Sequence, residues 1–96
     1  MIEIRQTDVY SKWFDGLRDR GAQTRIDVRI RRLSLGNPGD AKSVGKGVSE
    51  LRIDYGPGYR VYFTKQGNTV VILLAGGDKR TQAQDIHKAH ELAQNL

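Results

Sequence analysis

The chain has 96 residues, with 16 Lys+Arg against 11 Asp+Glu and a formal net charge of +5, a size that fits one domain over residues 1–96 and makes a second, independently folding core unexpected. The absence of cysteine excludes disulfides, thiolate nucleophiles and Cys-type zinc sites, and no apolar run is long enough for a membrane span. With no signal-peptide core at the N-terminus, a cytoplasmic protein is expected, and its positive charge suits a phosphate backbone or an acidic protein better than it suits mere solubility.

Ile2 and Ile4 alternate with Glu3 and Arg5, the pattern of a short strand. Thr7 can then cap a helix, with Asp8 in its first turn. Val9, Tyr10, Trp13, Phe14 and Leu17 recur at helical spacing and form one apolar stripe. Residues 18–21 read as a tight connection. Ala22, Ile26, Ile30 and Leu33 mark a second helix, whose outer face carries Arg25, Arg29, Arg31 and Arg32 against Asp27 alone. Gly36, Asn37, Pro38 and Gly39 end it, which completes an αα-hairpin.

From Asp40 the apolar period changes from 3.6 to 2. Residues 41–48 predict a weak strand interrupted by Gly45 and Gly47. Residues 50–55 put Leu51, Ile53 and Tyr55 on one face and Glu50, Arg52 and Asp54 on the other. After the turn at Gly56, Pro57 and Gly58, residues 59–65 alternate again. Following Gly67 and Asn68, residues 70–75 are apolar on both faces, as a central strand is. Three strands joined by two short turns make an antiparallel meander. Gly76 and Gly77 are expected to release the chain from the sheet. Thr81 with Gln84 predicts a capping box, opening a last helix through Ile86, Ala89, Ala93 and Leu96. The fold class is α+β, with a small antiparallel sheet of about four to five strands.

Three groups of residues could carry chemistry. If burial aligns the apolar faces of the middle strands, Arg52 and Arg60 share the opposite face. There they form an anion site with Tyr62 as a stacking aromatic, or they pair with Glu50 and Asp54 as cross-strand ion pairs; spacing leaves both open. Lys79 and Arg80 follow two glycines just before a helix N-terminus, where backbone N–H groups attract anions; alternatively the glycines only turn the chain. Lys42 and Lys46 could clamp phosphate from a flexible strand, or simply protect a sheet edge. His87 and His90 lie three apart on one helical face, but no third metal ligand is evident, so His87 fits an acid–base role better than a metal site.

The run from Val48 to Phe63 (VSELRIDYGPGYRVYF), with Leu73–Lys79 (LLAGGDK) and Gln84–Ala89 (QDIHKA), resembles the RelE/ParE toxin superfamily and, within it, the HigB-like addiction module killer protein branch. The resemblance extends over nearly the whole chain. It implies a small antiparallel sheet with two N-terminal helices on one face, and the toxin of a type II toxin–antitoxin pair. RelE-like members cut mRNA on the ribosome without a metal or a small-molecule cofactor; ParE-like members inhibit DNA gyrase, which is the alternative here. By position, Arg60 matches the family's strand arginine, Arg52 a basic residue of the preceding strand, and Lys79, with Arg80 as a near substitute, the cation after the last strand. Lys46 matches more loosely, while Lys42 is expected as an RNA contact from its place beside Lys46 and not from the resemblance. The C-terminal catalytic tyrosine of RelE has no counterpart: Asp85, Ile86 and His87 stand in that region, which leaves Tyr62 or His87 to move protons. The implied partners are mRNA on the ribosome and a helix-turn-helix, HigA-like antitoxin.

Overall fold

At Asp40, where the apolar period changes, the helices α1 and α2 give way to the strand meander in the computed structural model, which describes residues 1–96. In chain order the elements are β1 (Glu3–Gln6), α1 (Asp8–Asp15), α2 (Arg20–Ser34), β2 (Ala41–Gly45), β3 (Val48–Ile53), β4 (Tyr59–Gln66), β5 (Val70–Asp78), a short 3-10 turn (Lys79–Thr81) and α3 (Gln82–Gln94). Thr7 caps α1 by accepting from the Tyr10 N–H. Asp19 does the same for α2 through the Ala22 N–H, so this helix starts earlier than its apolar stripe suggests.

The sheet has five strands in the order β1-β5-β4-β3-β2. β2 to β5 form an antiparallel meander. β1 runs parallel to β5, with Ile4 opposite Val71, so the sheet is mixed at one edge. β5 is apolar on both faces and has two sides to pair; β4 takes one and β1 closes the other. One face packs on α1 and α2 through Tyr10, Ile26, Leu33, Leu51, Val61, Phe63 and Leu73. The other packs on α3 through Val48, Tyr62, Ile72, Leu74, Ala75 and Ala89. No helix is long and apolar enough to cross a membrane.

Three local expectations change. Residues 41–48 are two strands: β2 and β3 meet at a turn where Gly45, Lys46 and Gly47 all have positive φ, at 91°, 55° and 77°. Such left-handed pairs match the twist of a two-residue hairpin. Second, Gly76 and Gly77 do not release the chain. They stay in β5, opposite Val61 and Arg60. A Cβ on Gly76 would lie 2.2 Å from Trp13 Cε3, and one on Gly77 would lie 1.8 Å from Asp85 Oδ2. The two glycines therefore let α1 and α3 approach opposite faces of the same strand. A bulge sets up this phase: Phe63 faces Leu73 while Tyr62 faces Ala75, so Leu74 and Ala75 both turn to the α3 side. Third, the Thr81–Gln84 capping box does not form. Thr81 Oγ1 donates to Asp85 Oδ2 at 2.5 Å, and Asp78 accepts from the Arg80 N–H at 2.9 Å instead.

Candidate functional site

Burial of Leu51 opposite Val61 and of Ile53 opposite Tyr59 fixes the β3–β4 register, and it sets Arg52 directly across from Arg60. Both stand on the α3 side of the sheet, at the end beside the turn of residues 55–58. Lys79 arrives from the far end of β5. A Cβ on Gly58 would lie 3.7 Å from the Lys79 Cβ and 4.0 Å from Arg60 Nη1, so the turn brings these two cations together. The result is an open cleft of about 550 Å³, lined by Asp40, Arg52, Asp54, Gly56, Pro57, Gly58, Arg60 and Lys79 and by no hydrophobic residue.

The three cations have different surroundings. The Arg52 guanidinium donates from Nε (3.1 Å) and Nη2 (2.9 Å) to Asp40 Oδ1, which raises its pKa further. Both side chains are substantially exposed, at 39% and 55%, so water and salt screen the pair and an incoming anion can replace the carboxylate. Lys79 takes part in no ion pair of the chain. Arg60 is only 12% exposed, and its Nε lies 3.9 Å from Oε1 of Glu50, a carboxylate with no exposure at all. Glu50 Oε2 accepts from the Tyr62 hydroxyl at 3.1 Å and from Gln82 Nε2 at 2.8 Å. Arg60 Nε and Glu50 Oε1 themselves have no hydrogen-bond partner. At this separation the attraction is about 4 kcal/mol in a medium of effective dielectric 20. Desolvation of each ion opposes it by several kcal/mol, so the pair adds little net stability.

The structure moves several expected site residues away from the cleft. The Tyr62 ring is fully buried and offers no stacking face. Burial, and then the Glu50 charge, raise its hydroxyl pKa, which makes it a poor base. The reason is α3, which covers the polar side of β4 where Tyr62 points. His87 is 79% exposed and meets Glu91 at 3.0 Å, on α3 and outside the cleft. His90 Nε2 lies 3.0 Å from the Val44 carbonyl, so the two histidines have separate partners. No three His, Cys, Asp or Glu side chains gather as a metal site. Arg80 is 82% exposed, bound to Asp78, and does not line the cleft. Lys42 faces Glu50 in the β2–β3 register, and Lys46 tips the hairpin; both are exposed and neither lines the cleft.

Arg29, read as part of an outward basic face, is drawn inward. Its guanidinium donates to the carbonyls of Arg52, Pro38 and Asp40, tying α2 to the segment that carries Asp40. Sequence reasoning missed Asp40 and Gln82 as members of the site and placed Glu50 on an open face. Alternation gives the direction of Glu50 but not its depth, and Gln82 carries no local signal.

The sequence profile of the family described as phage derived protein Gp49-like (DUF891) matches residues 12–95. A protein of Haemophilus influenzae, carrying the name "Uncharacterized protein", is 50% identical over 95 residues, covering 99% of this chain and 96% of that relative. With residues 12–95 matched, this chain belongs to the phage-derived Gp49-like family, a family of the toxin–antitoxin kind.

Proposed function

We propose that this chain is the toxin of a two-gene toxin–antitoxin pair and an endoribonuclease that cuts mRNA on the ribosome without a metal ion. The observation that carries the reading is the cleft itself: Arg52 and Arg60 face each other across two strands, with Lys79 beside them and no hydrophobic residue in the lining. When a ribose 2′-oxygen, giving its proton to a base, attacks the adjacent phosphorus, the bond from phosphorus to the 5′-oxygen of the next nucleotide breaks. That oxygen takes a proton from solvent, and negative charge grows on the phosphoryl oxygens along the way. Fixed cations meet that charge without reorganising at the moment of reaction. Arginine suits the task because its planar fork holds two oxygens at once and keeps its charge at any working pH.

Arg60, mostly shielded from solvent and prepositioned, is the principal electrostatic group. Arg52 exchanges Asp40 for phosphate, and Lys79 adds a mobile ammonium. Asp54 lines the cleft and forms no ion pair, so it is the group available to take the 2′-hydroxyl proton. His87 and Arg80 lie further out and serve as contacts to flanking RNA, as do Lys42 and Lys46. A helix-turn-helix antitoxin would silence the toxin until it is degraded.

The test is induced expression with mapping of mRNA ends. Wild-type protein should halt translation and leave new 5′ ends inside coding sequences. Arg60→Ala should lose about 100-fold or more of the cleavage, as removal of one positioned donor commonly does. A fully toxic Arg60→Ala rules the mechanism out, and DNA damage with intact mRNA points to gyrase inhibition instead.

A further inference from the structure

We infer that Glu50 is a positioning residue for the cleft: its buried carboxylate holds the Nε side of the Arg60 guanidinium inward, so that the Nη groups face the anion. This rests on the reading of the cleft as a phosphate site.

Glu50 has no exposed surface, although it lies only two residues from the part-exposed Arg52. Its two hydrogen-bond donors, the Tyr62 hydroxyl and Gln82 Nε2, are both neutral and both converge on Oε2. They come from β4 and α3, so two separate elements fix the carboxylate's orientation. The other oxygen, Oε1, is left facing Arg60 Nε at 3.9 Å, and neither atom has another partner. Arg60 is the one cation within 4 Å of Glu50. Arg60 Nη1, by contrast, lies beside Gly58 at the wall of the cleft. The guanidinium is therefore polarised by place: Nε towards a buried anion, Nη towards the opening.

A buried carboxylate is a poor device for stability, since apolar side chains of similar volume often do as well or better. Its value lies in direction. Without the negative charge behind it, a guanidinium that is only 12% exposed would leave its site for water. With the charge there, the cation stays at the sheet surface, and a movement of about 1 Å turns the 3.9 Å contact into a charge-assisted hydrogen bond.

The experiment compares wild type, Glu50→Gln, Arg60→Ala and the double variant of the full-length protein. The first readout is the Arg60 Nε–H resonance in a proton–nitrogen correlation spectrum. It should be dispersed and slow to exchange in wild type, and averaged in Glu50→Gln; an unchanged resonance overturns the inference. The second readout is binding of a labelled single-stranded RNA oligonucleotide. Glu50→Gln should weaken it by about tenfold, while adding the same change to Arg60→Ala should cost nothing further. An equal loss in both backgrounds assigns Glu50 a merely structural role, and wild-type binding by Glu50→Gln also overturns the proposal. If Arg60→Ala binds as wild type does, the reading of the cleft fails, while the Nε–H resonance still decides whether Glu50 orients Arg60. Should Glu50→Gln not fold, Gln82→Met removes one donor from Oε2, and the same resonance should broaden; an unchanged one again overturns the inference.

Discussion

At Gly76 and Gly77 the lack of a side chain on adjacent residues opens both faces of one strand. Trp13 occupies the space over Gly76 and Asp85 the space over Gly77. Gly76→Ala should therefore destabilise the protein by about 1–3 kcal/mol, the usual cost of overpacking a filled site. Urea unfolding should show a lower midpoint with an unchanged slope. Asp85 pays for its closeness to the strand: burial raises its carboxyl pKa, with the Thr81 hydrogen bond opposing that rise and Asp78 adding to it. The folded state thus holds this proton more tightly than the unfolded state does. The group's contribution to stability is greatest below the ordinary carboxyl range and falls as pH rises through the raised native pKa. Asp85→Asn should be more stable than wild type at pH 7, and the difference should vanish at acid pH; urea midpoints at the two pH values measure it.

At the scale of elements, Arg29 anchors the segment between α2 and β2. Arg29 reaches from α2 to three carbonyls, those of Pro38, Asp40 and Arg52. Asp40 in turn accepts the Arg52 N–H through its carbonyl and the Arg52 guanidinium through its carboxylate. Arg29→Ala should cost about 2 kcal/mol, the range for hydrogen bonds to a charged group, and should speed amide exchange at Arg52. Arg29→Lys should recover little of this, because a single ammonium cannot span the fork. The hairpin that follows was hidden for a local reason. Its turn uses Lys46 and Gly47 at positive φ, and lysine is not among the residues that announce such a turn. The β3–β4 hairpin, in contrast, was legible because Gly56, Pro57 and Gly58 separate two cleanly alternating runs.

Across the whole molecule, charge is unevenly placed. α2 holds five arginines and one aspartate, on the face opposite α3, while the cleft holds three cations with two carboxylates. A net positive charge attracts RNA from any side, so salt dependence has to be resolved residue by residue. If the three cleft cations each meet a phosphate, they should contribute about −2 to the slope of the logarithm of single-stranded RNA affinity against the logarithm of salt. Lys79→Ala should make that slope shallower by about 0.7, and Arg31→Ala on α2 should leave it unchanged. Fluorescence titrations over a range of salt concentrations measure the slopes.

The sequence alone determined the order of elements, the break at Asp40 and the shared face of Arg52 and Arg60, because apolar period and burial together fix where each side chain points. It also carried the kinship with a toxin–antitoxin kind of family, since the run from Val48 to Phe63 lies within residues 12–95 matched by the Gp49-like profile, which does not itself establish the HigB-like branch. Depth was settled only by the tertiary structure. Glu50 and Tyr62 point the way the alternation says, yet α3 returns over that face and buries them. The parallel seat of β1, the inward turn of Arg29 and the use of Gly76 and Gly77 as contact points likewise depend on segments far apart in the chain, and local periodicity holds no information about which distant segment will pack there.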